Sequence, residues 1–190
     1  RRLRETVTTR LNLEMAVTPE MVRLATGLHP DQATLVPERA EEITTEGGLD
    51  ILAHPESIEA AIQELEAAGI QVSLFIDPEP GQVDAAADLG ASMIELNTRA
   101  YSEATPRSPD LAGDASRREL TKVVQASERG RKKGLKVLAG HGLTYRNVRP
   151  VSAIPEIEEL NIGHNILARA ALVGIERAVR EMLRAMNGAD

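Results

Sequence analysis

Cysteine and tryptophan are absent from the 190 residues, and Phe75, Tyr101 and Tyr145 are the only aromatic side chains. Without thiols there can be no disulfide scaffold, no thiolate metal site and no cysteine nucleophile. That composition suits a reducing compartment, and a cytoplasmic location is expected. So few rings leave no platform for stacking bases. Positive charge is also scarce: 22 Lys+Arg stand against 29 Asp+Glu, for a formal net charge of −7. Nucleic acid and anionic membrane surfaces are therefore not expected as partners. No apolar run approaches the ~18 residues that would span a bilayer. What is present is an aliphatic chain, 42% hydrophobic, long enough for one domain, residues 1–190, with a large core.

Strand-like and helix-like periods alternate along its length. Leu11 to Val17 reads as a first strand, with Asn12 and Glu14 on one parity. Thr18-Pro19 then supplies an N-cap followed by a first-turn proline, opening a helix through Leu24. Ala33 to Val36 is a second strand. Ser57 is expected to cap a helix whose Ile58, Ala61, Ile62, Leu65 and Ala68 form one apolar stripe. A repeated punctuation follows. Gly69, Gly90 and Gly134 each close a helical stretch, and apolar runs (Ile70–Asp77, Met93–Leu96, Leu135–His141) begin within a few residues. Helix, glycine turn and buried strand in succession are the pattern of βα units on a parallel sheet. A sixth strand, Glu159 to Gly163, precedes a terminal helix striped by Ile175, Ala178, Val179, Met182, Leu183 and Met186.

Six strands and about six helices fit an α/β architecture. No Gly-rich fingerprint follows the first strand, which disfavours a doubly wound dinucleotide fold. A TIM (β/α)8 barrel needs about 250 residues, so the chain is expected to hold about six of its βα units. It opens on Arg1-Arg2-Leu3-Arg4, without methionine. The barrel's first two strands are therefore expected to be missing at the amino terminus.

In such barrels chemistry collects at the carboxyl ends of the strands, and polar residues gather at those ends here. Glu14 and Glu95 lie within strands, where an unpaired charge costs several kcal/mol, about enough to require a functional reason. His141, between two glycines at a strand end, has backbone room for a ligand. Asp77-Pro78 reads equally well as a turn, and His29 and His54 as loop residues. Gly163-His164 stands before a short helix, the position at which phosphate-binding barrels seat an anion on free backbone N–H groups. All four lysines (122, 132, 133 and 136) lie in a helix or at a strand's entry. None is placed to form a Schiff base, so any amine chemistry would take its nitrogen from the substrate. No tight His-x-Glu or His-x-His pair suggests a metal. Acid–base catalysis on a phosphorylated carbonyl compound, without metal or cofactor, is the reading these residues support.

Several strings carry a more specific signal. Arg10-Leu-Asn-Leu-Glu-Met-Ala-Val17, Thr44-Thr-Glu-Gly-Gly-Leu-Asp50, Gln71-Val-Ser-Leu-Phe-Ile-Asp77, Ala139-Gly-His-Gly-Leu-Thr-Tyr145 and Leu160-Asn-Ile-Gly-His164 closely resemble the pyridoxine 5′-phosphate synthase family, in order and across nearly the whole chain. The resemblance implies a TIM barrel that condenses 1-deoxy-D-xylulose 5-phosphate with 3-amino-2-oxopropyl phosphate, releasing phosphate and water. It implies Glu14 as an acid/base residue, His141 as proton donor and Glu95 as a charge-stabilising carboxylate. It implies Thr44 as a contact to deoxyxylulose phosphate, and Gly142, Gly163 and His164 as the site of the amino-ketone phosphate. It also implies small phosphorylated substrates as partners and assembly into a homo-oligomer, an octamer in the family. Two departures accompany it. Residues 101–116 look longer than the family's loop and are expected to form a surface excursion. The family's first two strands, with further phosphate contacts, have no counterpart. The alternatives are a metal-dependent sugar-phosphate epimerase or isomerase, and a non-catalytic phosphate-binding barrel fragment.

Overall fold

The computed structural model describes residues 2–37, 47–105 and 113–188. Helix α1 (Arg2–Thr6) precedes strand β1 (Asn12–Ala16), and α2 (Pro19–Leu28) leads to β2 (Gln32–Val36). Next come α3 (Pro55–Ala67), β3 (Gln71–Ile76), α4 (Pro80–Asp88) and β4 (Met93–Asn97). Helices α5 (Arg99–Ala104) and α6 (Asp114–Lys132) lead to β5 (Lys136–Gly140). The last elements are α7 (Val148–Ser152), β6 (Ile157–Asn161), α8 (His164–Val173) and α9 (Ile175–Asn187).

The strands form one sheet in strict chain order, every neighbouring pair parallel. Parallel crossovers are right-handed, so an order that never reverses puts every helix on the same side of the sheet. An open doubly wound sheet reverses its order at a switch point; this one does not, and it belongs to the barrel class. Among the described residues, β1 and β6 each pair on one side alone.

Local signals explain most of the elements. Thr18 sits in extended conformation and its hydroxyl accepts from the Met21 N–H at 3.3 Å, with Pro19 at the first helical position, an N-cap as expected from the sequence. The α3 stripe of Ile58, Ala61, Ile62 and Leu65 is buried. Gly69, Gly90 and Gly134 adopt φ of 77°, 79° and 84°, the left-handed turn that closes a helix and that a Cβ would strain.

The two faces of the sheet differ in chemistry. Met15, Ala33, Leu35, Val72, Leu74, Ile94, Leu96, Val137 and Ala139 point outward into the apolar layer beneath the helices. The alternate residues point inward, and that face carries Asn12 and Glu14, Thr34, Glu95 and Asn161 beside Phe75. Register keeps the polar set together: Asn12 pairs with Gln32 and Glu14 with Thr34, and the Thr34 hydroxyl donates to Asn12 Oδ1 at 3.0 Å.

Several boundaries differ from the sequence expectation. Helix α2 runs on to Leu28 because His29, at φ 50°, supplies the left-handed cap. Helix α3 starts at Pro55, so Ser57 lies inside it and donates to the His54 carbonyl instead of capping. Strand β6 begins at Ile157, opposite Val137, and ends at Asn161, opposite the last residue of β5, with one extra β6 residue accommodated at the register shift beside Val137/Leu138. The expected surface excursion over 101–116 is helical at both ends. Tyr101 is buried there in α5 and donates to the Asn147 carbonyl at 2.9 Å, while residues 106–112 lie outside the described ones. No helix among the described residues is long and apolar enough to cross a membrane.

Candidate active site

A cavity of about 710 Å³ opens at the carboxyl ends of the strands. Glu14, Glu95, His141, Gly142, Gly163 and His164 all line it, together with Asn12, Thr34, Phe75 and Asn161. These residues come from β1, β2, β3, β4, β6 and the turns after β5 and β6, so the sheet's curvature is what gathers them. Thr44 lies outside the described residues.

Of the titratable groups that line the cavity Glu95 is the most deeply set, with 4% of its surface exposed. Burial pushes its carboxyl up to about 7, opposed by the amide of Asn161, which donates to Oε2 at 2.7 Å. Repulsion from Glu14 and Glu159 adds to the rise. A carboxyl poised near neutrality both gives and takes a proton readily.

His141 follows β5 in a left-handed conformation, φ 77°, which is uncommon for a residue with a side chain. Thr98 holds that turn: its backbone N–H donates to the Gly140 carbonyl at 2.8 Å, and its hydroxyl lies 2.7 Å from the carbonyls of both Gly140 and His141. The imidazole stands near the Phe75 ring, centroids 6.1 Å apart. Burial, with Arg99 and His164 nearby, holds it below the usual histidine value against the opposing pull of Glu14 and Glu103. It therefore sits in the site as a neutral ring near pH 7, able to accept a proton on one nitrogen and donate from the other. Gly142 has no room for a side chain, since a Cβ would meet the Ser102 Cβ at 2.9 Å.

Gly163 precedes α8 and no side chain caps that helix. Its first backbone N–H groups are thus left for an anion beside His164. Asp77 plays a different part. Its Oδ1 accepts from the Gly48 N–H at 3.1 Å and from Asn97 Nδ2 at 2.9 Å, clasping the segment after residue 47 to the end of β4. It does not line the cavity, so the turn reading of Asp77 is the structural one, with a clasp added.

The sequence reading passed over Thr34, Phe75 and the space left by Gly140. Thr34 had a usable signal, the same parity as Asn12 and Glu14 one strand on. Phe75 and Gly140 had none, because their parts depend on neighbouring strands.

An unreversed parallel sheet with a polar cavity at its carboxyl edge is the architecture of the TIM-barrel class. Likeness to solved structures agrees on the fold. An HpcH/HpaI aldolase from Desulfitobacterium hafniense superposes with a TM-score of 0.54 at 14% identity, covering 95% of this chain and 75% of that one. A mandelate oxidase variant superposes at 0.61 and 17%, covering 98% and 60%. The family described as "Pyridoxal phosphate biosynthesis protein PdxJ" matches residues 1–188, and this chain belongs to it. Among relatives, the pyridoxine 5′-phosphate synthase of Cyanothece sp. is 57% identical over 99% of this chain and 76% of its own length. That of Trichormus variabilis is 54% identical over 98% and 75%.

Proposed function

We propose that this chain condenses 1-deoxy-D-xylulose 5-phosphate with 3-amino-2-oxopropyl phosphate to pyridoxine 5′-phosphate, releasing inorganic phosphate and water. The observation that carries the reading is the single cavity in which Glu14, Glu95, His141 and the start of α8 converge. The amine of the amino-ketone attacks the ketone of the other substrate, so no lysine is required, and none lines the cavity. Imine formation, eliminations and ring closure each move a proton at carbon or oxygen. Glu14, on the exposed rim, removes protons as general base; His141, a neutral ring, takes up a proton on one nitrogen and then, as the cation, gives one to departing oxygen; and Glu95 balances the charge that develops at the buried end. The α8 N-terminus with Gly163 and His164 seats the amino-ketone phosphate, and Gly142 lets it approach the backbone. Thr44 is assigned to the deoxyxylulose phosphate on the resemblance alone. The same resemblance supports assembly with copies of itself, toward an octamer, in the cytoplasm.

The experiment is to incubate the chain with both substrates and EDTA, beside a full-length relative, and follow pyridoxine 5′-phosphate by chromatography and absorbance. Product insensitive to the chelator is expected. Product only with added divalent metal, or none while the relative turns over, would overturn the assignment for this chain. Light scattering on the same sample tests the assembly.

A further inference from the structure

Glu95 is flanked in the sheet by Phe75 on β3 and Leu138 on β5, its register partners, and neither offers the carboxyl a hydrogen bond. Its polar partner comes from two strands away. Asn161, the last residue of β6, reaches across β5 and donates from Nδ2 to Glu95 Oε2 at 2.7 Å. The path is open only because the residue between them is glycine. Gly140 pairs with Asn97 on one side and Asn161 on the other. A Cβ at 140 would overlap Glu95 Oε1 and stand 2.8 Å from the Asn161 carbonyl oxygen.

We propose that Asn161 is the positioning residue for Glu95, its side-chain amide fixing the carboxyl over the space that Gly140 leaves empty. The proposal rests on Glu95 being a working group of the condensation, and it adds what holds that group in place and in its useful protonation range. An amide N–H can only donate, and donation favours the ionised carboxylate. It thus offsets burial and the two carboxylates that face Glu95, Glu14 from β1 and Glu159 from β6. Glu159 is itself paired with Arg10. The register partners on β3 and β5 carry no charge, and the cavity's other titratable groups are His141 and His164 at its rim. Without the amide, the carboxyl would hold its proton to higher pH and turn freely about its side-chain bonds.

The test is carboxyl-carbon NMR of the whole chain labelled at glutamate, with the Glu95 resonance assigned by Glu95→Gln, titrated between about pH 5 and pH 9. The native midpoint is expected near 7. Asn161→Leu, close in volume but without a donor, is expected to raise it by about one pH unit or more, and Asn161→Gln to return part of that shift. A midpoint in Asn161→Leu that matches the native one overturns the proposal; if that variant does not fold, Asn161→Ala is read the same way. Turnover separates the two claims. A moved midpoint in a chain that makes no pyridoxine 5′-phosphate overturns the functional reading and leaves Asn161 as the positioning residue. Product formation with an unmoved midpoint does the reverse. In an active chain, the kcat limb belonging to Glu95 should move with the NMR midpoint, while KM for both substrates holds.

Discussion

At the scale of single residues, two side chains in the site pull against the stability of the fold, and each does so in a measurable way. Glu95 has a folded value near 7 against an ordinary 4.5. The folded state therefore binds its proton more tightly than the unfolded chain. That contribution to stability is fully present below about pH 4.5 and lost as pH rises through 7. Replacing Glu95 with Gln keeps the shape and removes the charge. Glu95→Gln should match the native protein near pH 4 and exceed it by roughly 3 kcal/mol above pH 8, read from urea unfolding at both pH values. His141 stores backbone strain instead. His141→Gly should lower turnover by about 10²-fold or more, yet leave the fold as stable or about 1 kcal/mol more so. A parallel loss of stability and activity would mean that the ring is chiefly a packing group.

Elements are decided by shorter-range physics, and glycine shows how far position matters. Gly134 ends α6 at φ 84°, with no atom near a would-be Cβ. Gly134→Ala should therefore cost about 1–2 kcal/mol through conformation alone. Gly27 lies inside α2, also in open space but without the positive φ. Gly27→Ala should stabilise by about 0.5–1 kcal/mol. Thermal unfolding of the two variants side by side checks the pair, and equal effects would contradict the assigned conformations. These same features made the elements legible. The Thr18-Pro19 start, the α3 stripe and the glycine stops act within a turn or two of the chain, so the sequence displays them directly. Ser57 misled because a hydroxyl can serve inside a first turn as well as before it, and Pro55 had already started the helix. The end of β6 differs because it falls opposite Gly140, where its partner β5 ends, and β6's own residues do not encode that pairing.

Over the whole molecule, the sheet is buried from the middle outward. β3 and β4 are covered almost throughout, whereas β6 is only partly covered. Amide hydrogen exchange should be slowest in β3 and β4 and fastest among the strands in β6; uniform protection across the sheet would contradict this ordering. Chain order, composition and local period together determined the class of fold, the strand ends at which the polar residues gather, and, through Asn12-Leu-Glu14, Gly140-His-Gly142 and Asn161-Ile-Gly-His164, the family. Those are properties of neighbouring residues, and neighbouring residues carry them in any context. Only the tertiary structure decided that Asp77 clasps Gly48, that Thr98 holds the His141 turn, and that Asn161 meets Glu95 from 66 residues away. Such contacts arise from parallel register and sheet curvature, which bring together strands separated by whole helices, and no local signal specifies which side chains then touch.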